Sequence, residues 1–167
     1  MNWLTDNKIP LGAWMESFVD WLVSAASGFF DLISIVLETM IVSMVDTIES
    51  VHPLIVIGIV LLGVWFLHRS IGLLIFITAA LLFIINMGYW VETIQTLVLV
   101  VSATAISVLI GVPIGIAAAH RPWLYTILRP ILDLMQTIPT FVYLIPTLIL
   151  FGLGVVPGLI STIVFAL

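Results

Sequence analysis

No residue of this 167-residue chain is a cysteine, and only four are lysine or arginine. The first absence removes disulfides, thiolate nucleophiles and cysteine metal sites. The second leaves no basic patch, and with a net charge of −5 it argues against nucleic acid as a partner. Charged residues of both signs make up only 8% of the chain, against roughly 25% in soluble domains. So few charges do not suit a large water-soluble fold. The motifs HExxH, GxSxG and the phosphate-binding GxxxxGKS/T are also missing. The three histidines, His52, His68 and His120, are too dispersed to form a ligand cluster. Any ATP hydrolysis must therefore belong to a partner. The opening MNWLTDNKIP lacks the basic and compact apolar regions of a signal peptide, so targeting would fall to the first spanning helix.

What remains is apolar. Hydrophobic residues make up 63% of the chain and mean hydropathy is +1.37. Several continuous runs approach or exceed the roughly 17–25 residues that cross a bilayer. Backbone polar groups in lipid must pair internally, which permits helices or a closed barrel. Unbroken rather than alternating runs select helices. The expected fold class is therefore an all-α integral membrane protein. Its ending, STIVFAL, lies within an apolar run and reads as a fragment.

Residues 13–50 form one long periodic segment. Glu16, Asp20, Ser24, Ser27, Asp31, Ser34 and Glu38 recur every three or four positions, which groups them within roughly 80° of arc. Trp14, Phe18, Trp21, Leu22, Phe29, Phe30, Leu32, Ile33, Ile35, Val36, Leu37 and Met40 occupy a broad remainder. The pattern predicts an amphipathic helix in the interface plane or clamped against other membrane helices. A poorly hydrophobic spanning helix is the alternative. Its acidic face points to protein rather than anionic lipid, and Gly28 is the expected weak point.

About five transmembrane helices follow, the first two of them short and near the lower limit for a span. The first runs from Pro53 to Leu67, the second from Ile71 to Met87 and the third from Val91 to Ala119. The fourth covers Leu124 to Phe151, interrupted by Pro130, Pro139 and Pro146. Gly152, Gly154, Pro157 and Gly158 read as a loop or broken helix, with a fifth helix from near Leu159. Arg69, Arg121 and Arg129 follow the first and third helices, whereas the turn around Tyr89 has no lysine or arginine. The positive-inside rule puts the arginines in the cytoplasm and the N-terminus outside. Lys8, on the outer side, is weak counter-evidence.

Two sets of residues stand out. Gly111 and Gly115 have the GxxxG spacing that lets helices approach closely, with Pro113 between them. In residues 130–154, Asp133, Gln136, Thr137, Thr140 and Thr147 face one way on a continuous helix, with Tyr143 at the edge. Polar groups are costly in lipid, and proline-broken helices often border transport paths. These six are therefore candidates to line a substrate path. Asp133 is also spaced to pair with Arg129, and Gln136 or Thr137 to bond across a subunit interface.

The blocks Gly111-Val-Pro-Ile-Gly115-Ile, Pro130-Ile-Leu-Asp-Leu-Met-Gln-Thr-Ile-Pro139, Phe141-Val-Tyr-Leu-Ile-Pro146 and Phe151-Gly-Leu-Gly-Val-Val-Pro157-Gly158 resemble the permease of glycine betaine, proline betaine, carnitine and choline importers. The resemblance covers most of the chain and implies a type I ATP-binding cassette importer with a role in osmoprotection. It implies three parts: residues 1–50 as tail and interfacial helix, 51–90 as two short scaffold helices, and 91–167 as the start of the transport core, incomplete at its C-terminus. It further implies a bacterial plasma-membrane location and a second permease copy. Two cytoplasmic ATPases carrying ATP and Mg would complete the machine, with an external binding protein or fused binding domain. No cofactor is expected on this chain. The family's cytoplasmic coupling loop is expected beyond Leu167. A non-transporting scaffold or regulatory subunit is the second reading, and an intramembrane enzyme the third.

Overall fold

The computed structural model describes residues 11–167, and their regular structure is entirely helical. Seven helices follow in order: α1 (Leu11–Glu49), α2 (Pro53–His68), α3 (Ile71–Asn86), α4 (Trp90–His120), α5 (Pro122–Thr137), α6 (Thr140–Phe151) and α7 (Val155–Ala166). By length and composition, α1 and α4 can each cross a membrane, and α5 with α6 would be a third span if the bent pair counts as one. The apolar helices α2, α3 and α7 are shorter, at 16, 16 and 12 residues. At 1.5 Å per residue they reach about 24, 24 and 18 Å, less than the hydrocarbon thickness of about 30 Å.

Local chemistry explains the helix ends. His52 caps α2, its Nδ1 accepting from the Leu54 N–H at 3.3 Å, and Pro53 sits where the missing N–H costs nothing. Arg69 ends α2 in a left-handed conformation at φ 48°, and Ser70 caps α3 by accepting from the Leu73 N–H. The α2–α3 hairpin thus turns on two residues. It meets the rest of the fold through α3 against α4. Gly152 and Gly154, at φ 78° and 149°, make the α6–α7 turn in conformations that favour glycine. Pro157 and Gly158 lie in the opening turns of α7 rather than in this loop. The helix starts at Val155, not Leu159, because proline is well tolerated in a first turn.

Helix α1 is continuous by its hydrogen bonds but kinked at Ala26, whose φ/ψ of −121°/15° is not helical. The weak point therefore lies two residues before Gly28. The Ser24 hydroxyl donates to Trp21 O at 2.9 Å just ahead of the kink, a bond that competes with the backbone ladder. Beyond the kink, α1 buries only a narrow stripe. Ile41 and Val45 enter a core with Ile94, Val98 and Ala103 of α4 and Leu159 and Ile163 of α7. Phe30 stacks edge-on against Phe151 at 5.3 Å, and Ser34 donates to Phe151 O at 3.3 Å. Trp14, Phe18, Trp21, Phe29, Leu32, Ile35 and Val36 stay exposed, so most of the broad apolar face is left uncovered by the described residues.

The expected fourth helix divides in two. Helices α5 and α6 meet at 98° across Ile138–Pro139, so they cannot both follow one membrane normal. Ile138 is extended at φ −83°, ψ 128°, as the residue before a proline prefers. Pro130 and Pro146 lie inside α5 and α6 without ending them. Pro113 likewise lies within an unbroken α4.

Candidate functional site

A cleft of about 640 Å³ lies between the C-terminal half of α4 and α5, with Leu167 also in its lining. Two unlike walls form it. Gly111, Ile114, Gly115, Ala118 and Ala119 make the α4 wall, and Tyr125, Arg129, Asp133 and Gln136 bring polar groups from α5. The α5 sequence produces that wall directly. Tyr125, Arg129, Asp133 and Gln136 follow each other by four, four and three residues and share a helix face. Leu124, Leu128, Leu132 and Met135, on the neighbouring strip, are half-buried.

Apart from Ile114, the α4 wall is built of small residues. A Cβ on Gly115 would meet no atom within 4 Å, so this glycine faces open space. A Cβ on Gly111 would lie 3.4 Å from Leu167 Cδ2, placing Gly111 at a close α4–α7 approach. The two GxxxG positions thus do different things.

The six polar candidates also part company. Asp133 and Gln136 line the cleft. Asp133 pairs with Arg129 at 3.9 Å, with both side chains mostly exposed, a loose pair of little stabilising value. Thr137, exposed at the end of α5, donates to Leu134 O at 3.0 Å, and Thr140 opens α6. The Tyr143 hydroxyl reaches back across the bend and donates to Met135 O at 2.9 Å. Thr147 is buried against α7. Its hydroxyl lies 3.0 Å from Ser161 Oγ and 3.4 Å from Pro157 O, and Ser161 donates to Pro157 O at 2.7 Å. The bend puts Thr147 on a different front from Asp133.

Tyr125 was not singled out from the sequence, although its four-residue spacing to Arg129 was a usable signal. Ser161 had none, since only packing brings it to Thr147. Among the described residues no group of three or more histidines and acids is placed to hold a metal. The cleft offers one cation, one anion and an amide over a mainly apolar lining. Such a surface can contact a small polar solute without covalent chemistry.

The family described as "Binding-protein-dependent transport system inner membrane component" matches residues 111–167, and every residue lining the cleft falls within that stretch. The glycine betaine transport system permease protein OpuAB of Bacillus subtilis is 38% identical over 160 residues, covering 96% of this chain and 56% of that protein. Over residues 111–167 the chain is similar to this transport-component family. The glycine betaine/carnitine transport permease protein GbuB of Listeria monocytogenes is 37% identical over 162 residues, covering 95% of this chain and 57% of its own length. The glycine betaine/proline betaine permease ProW of Escherichia coli is 34% identical over 159 residues, covering 95% of this chain and 45% of that protein. The chain spans about half the length of the curated relatives it matches. These matches extend well upstream of Gly111, so the likeness takes in α1 and the α2–α3 hairpin as well as the cleft.

Proposed function

We propose that this chain is part of the membrane permease of an ATP-driven importer of compatible solutes such as glycine betaine, used in osmoprotection. The observation that carries the reading is the 38% identity to a glycine betaine permease across 96% of the chain. The chain supplies a translocation surface and no catalysis. ATP and Mg belong to two cytoplasmic ATPase subunits. A second permease copy and an external binding protein or fused binding domain complete the assembly.

In this reading the protein is a multi-pass component of a bacterial plasma membrane with its N-terminus outside. Five passes are assigned to α2, α3, α4, the bent α5–α6 pair and α7, with the bilayer thinned locally around the short helices. Helix α1 is an outer scaffold resting on α4, α6 and α7, and the tail of residues 1–10 lies outside the described residues. Residues 91–167 begin the transport core. The path runs along the cleft, bordered by Asp133, Gln136 and, at the end of α5, Thr137, and continues beyond the bend past Thr140 and Tyr143, while Thr147 packs against α7. A zwitterion suits a wall that sets Arg129 beside Asp133, since each end of the solute meets an opposite charge.

The test is uptake of radiolabelled glycine betaine by the full-length complex in liposomes, with ATP inside and hydrolysis followed in parallel. The reading predicts ATP-dependent accumulation that Gln136→Leu reduces while hydrolysis persists. Failure of the wild-type complex to accumulate glycine betaine would remove the proposed substrate. Wild-type uptake by Gln136→Leu would take the path away from the cleft.

A further inference from the structure

The bend between α5 and α6 contains a hydrogen-bond problem and its solution. In a continuous helix the N–H of residue 139 would serve Met135 O, but residue 139 is proline and has none. The neighbouring Ile138 N–H is committed to Leu134 O at 3.3 Å. Met135 O is nonetheless bonded. Tyr143, one turn into α6, donates its phenol proton to this carbonyl at 2.9 Å from eight residues away. Tyr143 is half-buried, and an unpaired carbonyl in an apolar setting is costly. The bond joins two helices 98° apart, and it forms only while α6 folds back enough for its first turn to reach Met135. Met135 and Gln136 both line the cleft.

We propose that Tyr143 is a positioning residue: its hydroxyl supplies the hydrogen bond that Pro139 cannot, and so holds the α5–α6 elbow and with it the Asp133–Gln136 wall of the cleft. The proposal rests on the reading of that cleft as part of a transport path. Pro139 alone permits many angles, because it only removes a donor and disfavours helix at Ile138. The tyrosine selects one. With the phenol gone, Met135 O must find another partner, and a wider range of elbow angles competes.

The test measures the elbow directly in the full-length complex. Spin labels on cysteines replacing Ile127 and Ile149 report across it. Both positions are exposed, and this chain has no cysteine of its own. Helix geometry puts the two Cα atoms about 21 Å apart across the observed bend and about 33 Å apart in a straight helix. Wild type is expected to give a narrow short distance, and Tyr143→Phe a broader distribution shifted by about 5 Å or more toward the straight-helix value. Glycine betaine uptake should fall alongside. Pro139→Ala, which restores an N–H to Met135 O, should carry the Tyr143→Phe double variant further toward the straight value. If Tyr143→Phe fails to assemble, restored assembly in the double variant is the expected result, because a backbone N–H can replace the missing bond but not a missing ring contact. A Tyr143→Phe distribution superimposable on wild type would overturn the proposal. So would a shifted distance with unchanged uptake, or loss of assembly that Pro139→Ala does not repair. Absence of uptake by the wild-type complex would instead count against the transport reading, and the distances would still decide the elbow.

Discussion

Replacing Thr147 with valine tests whether its hydroxyl serves the α6–α7 contact or a passing solute. Thr147 and Ser161 are 8% and 4% exposed. Each hydroxyl has one proton to give. Ser161 commits its proton to Pro157 O at 2.7 Å, the shortest contact of the group. Thr147 can then donate to Ser161 Oγ at 3.0 Å, Tyr143 O at 2.9 Å or Leu144 O at 3.0 Å. Valine keeps the branched shape and deletes the hydroxyl, while Ser161 retains Pro157 O, so no donor is stranded. Side-chain hydrogen bonds between membrane helices average about 0.6 kcal/mol and reach about 1.7, which bounds the cost of Thr147→Val. Thr147→Ala also removes a methyl from a packed site, at about 0.8 kcal/mol for the group plus a cavity term, and should cost about twice as much or more. The assay is reversible denaturation of the solubilised full-length complex, with uptake measured on the same preparations. Equal costs for valine and alanine would refute the packing part of the argument. A loss of about tenfold in uptake at wild-type stability would mean that the hydroxyl serves the solute.

Further outcomes are expected. Cysteines at Ser70 and Asn86 should be respectively closed and open to an impermeant thiol reagent in intact cells; the reverse pattern would invert the proposed topology. Gly115→Ala should leave α4 unchanged or stabilise it by up to about 1 kcal/mol, since it meets open space and removes glycine's helix cost. Gly111→Leu should cost about 1–3 kcal/mol by driving into Leu167, and thermal denaturation separates the two. Phe30→Ser should lower recovery of the complex from membranes more than Phe29→Ser, by about 1 kcal/mol of pair energy, because Phe30 stacks on Phe151 while Phe29 is 62% exposed. Asp133→Asn should change stability by less than about 1 kcal/mol, its partner Arg129 being 3.9 Å away and well solvated, and any larger fall in uptake would then report on the path.

The sequence determined features whose cause is local. His52-Pro53 opens α2, the Arg69-Ser70 turn separates α2 from α3, and Tyr89 and His120-Arg121 bracket α4 close to their expected limits. Caps, prolines and charged turns act within a few residues, so these boundaries can be read along the chain. The polar face of α5 is legible for the same reason, because a single helix carries it. The family blocks around Gly111, Asp133 and Tyr143 are legible too, since they lie in contiguous stretches.

Packing decided the rest. Of the prolines at 130, 139 and 146, only Pro139 separates two helices, and its bend divides a stripe that looks continuous on one helical wheel. The sequence offers no distinction among them, because all three lack the same donor. What differs is the surroundings, where Tyr143 returns a hydrogen bond to the carbonyl that Pro139 leaves open. Helix α1 presents a wide apolar face, yet Ile41 and Val45 enter the core while Leu32 and Ile35 stay outside. Hydrophobicity marks what can leave water but not which neighbour receives it. Thr147 carries the same hydroxyl whether it meets a solute or Ser161. Its place beside α7 depends on the turn at Gly152–Gly154 bringing a residue fourteen positions away to 3.0 Å, a contact that exists only once the helices have packed.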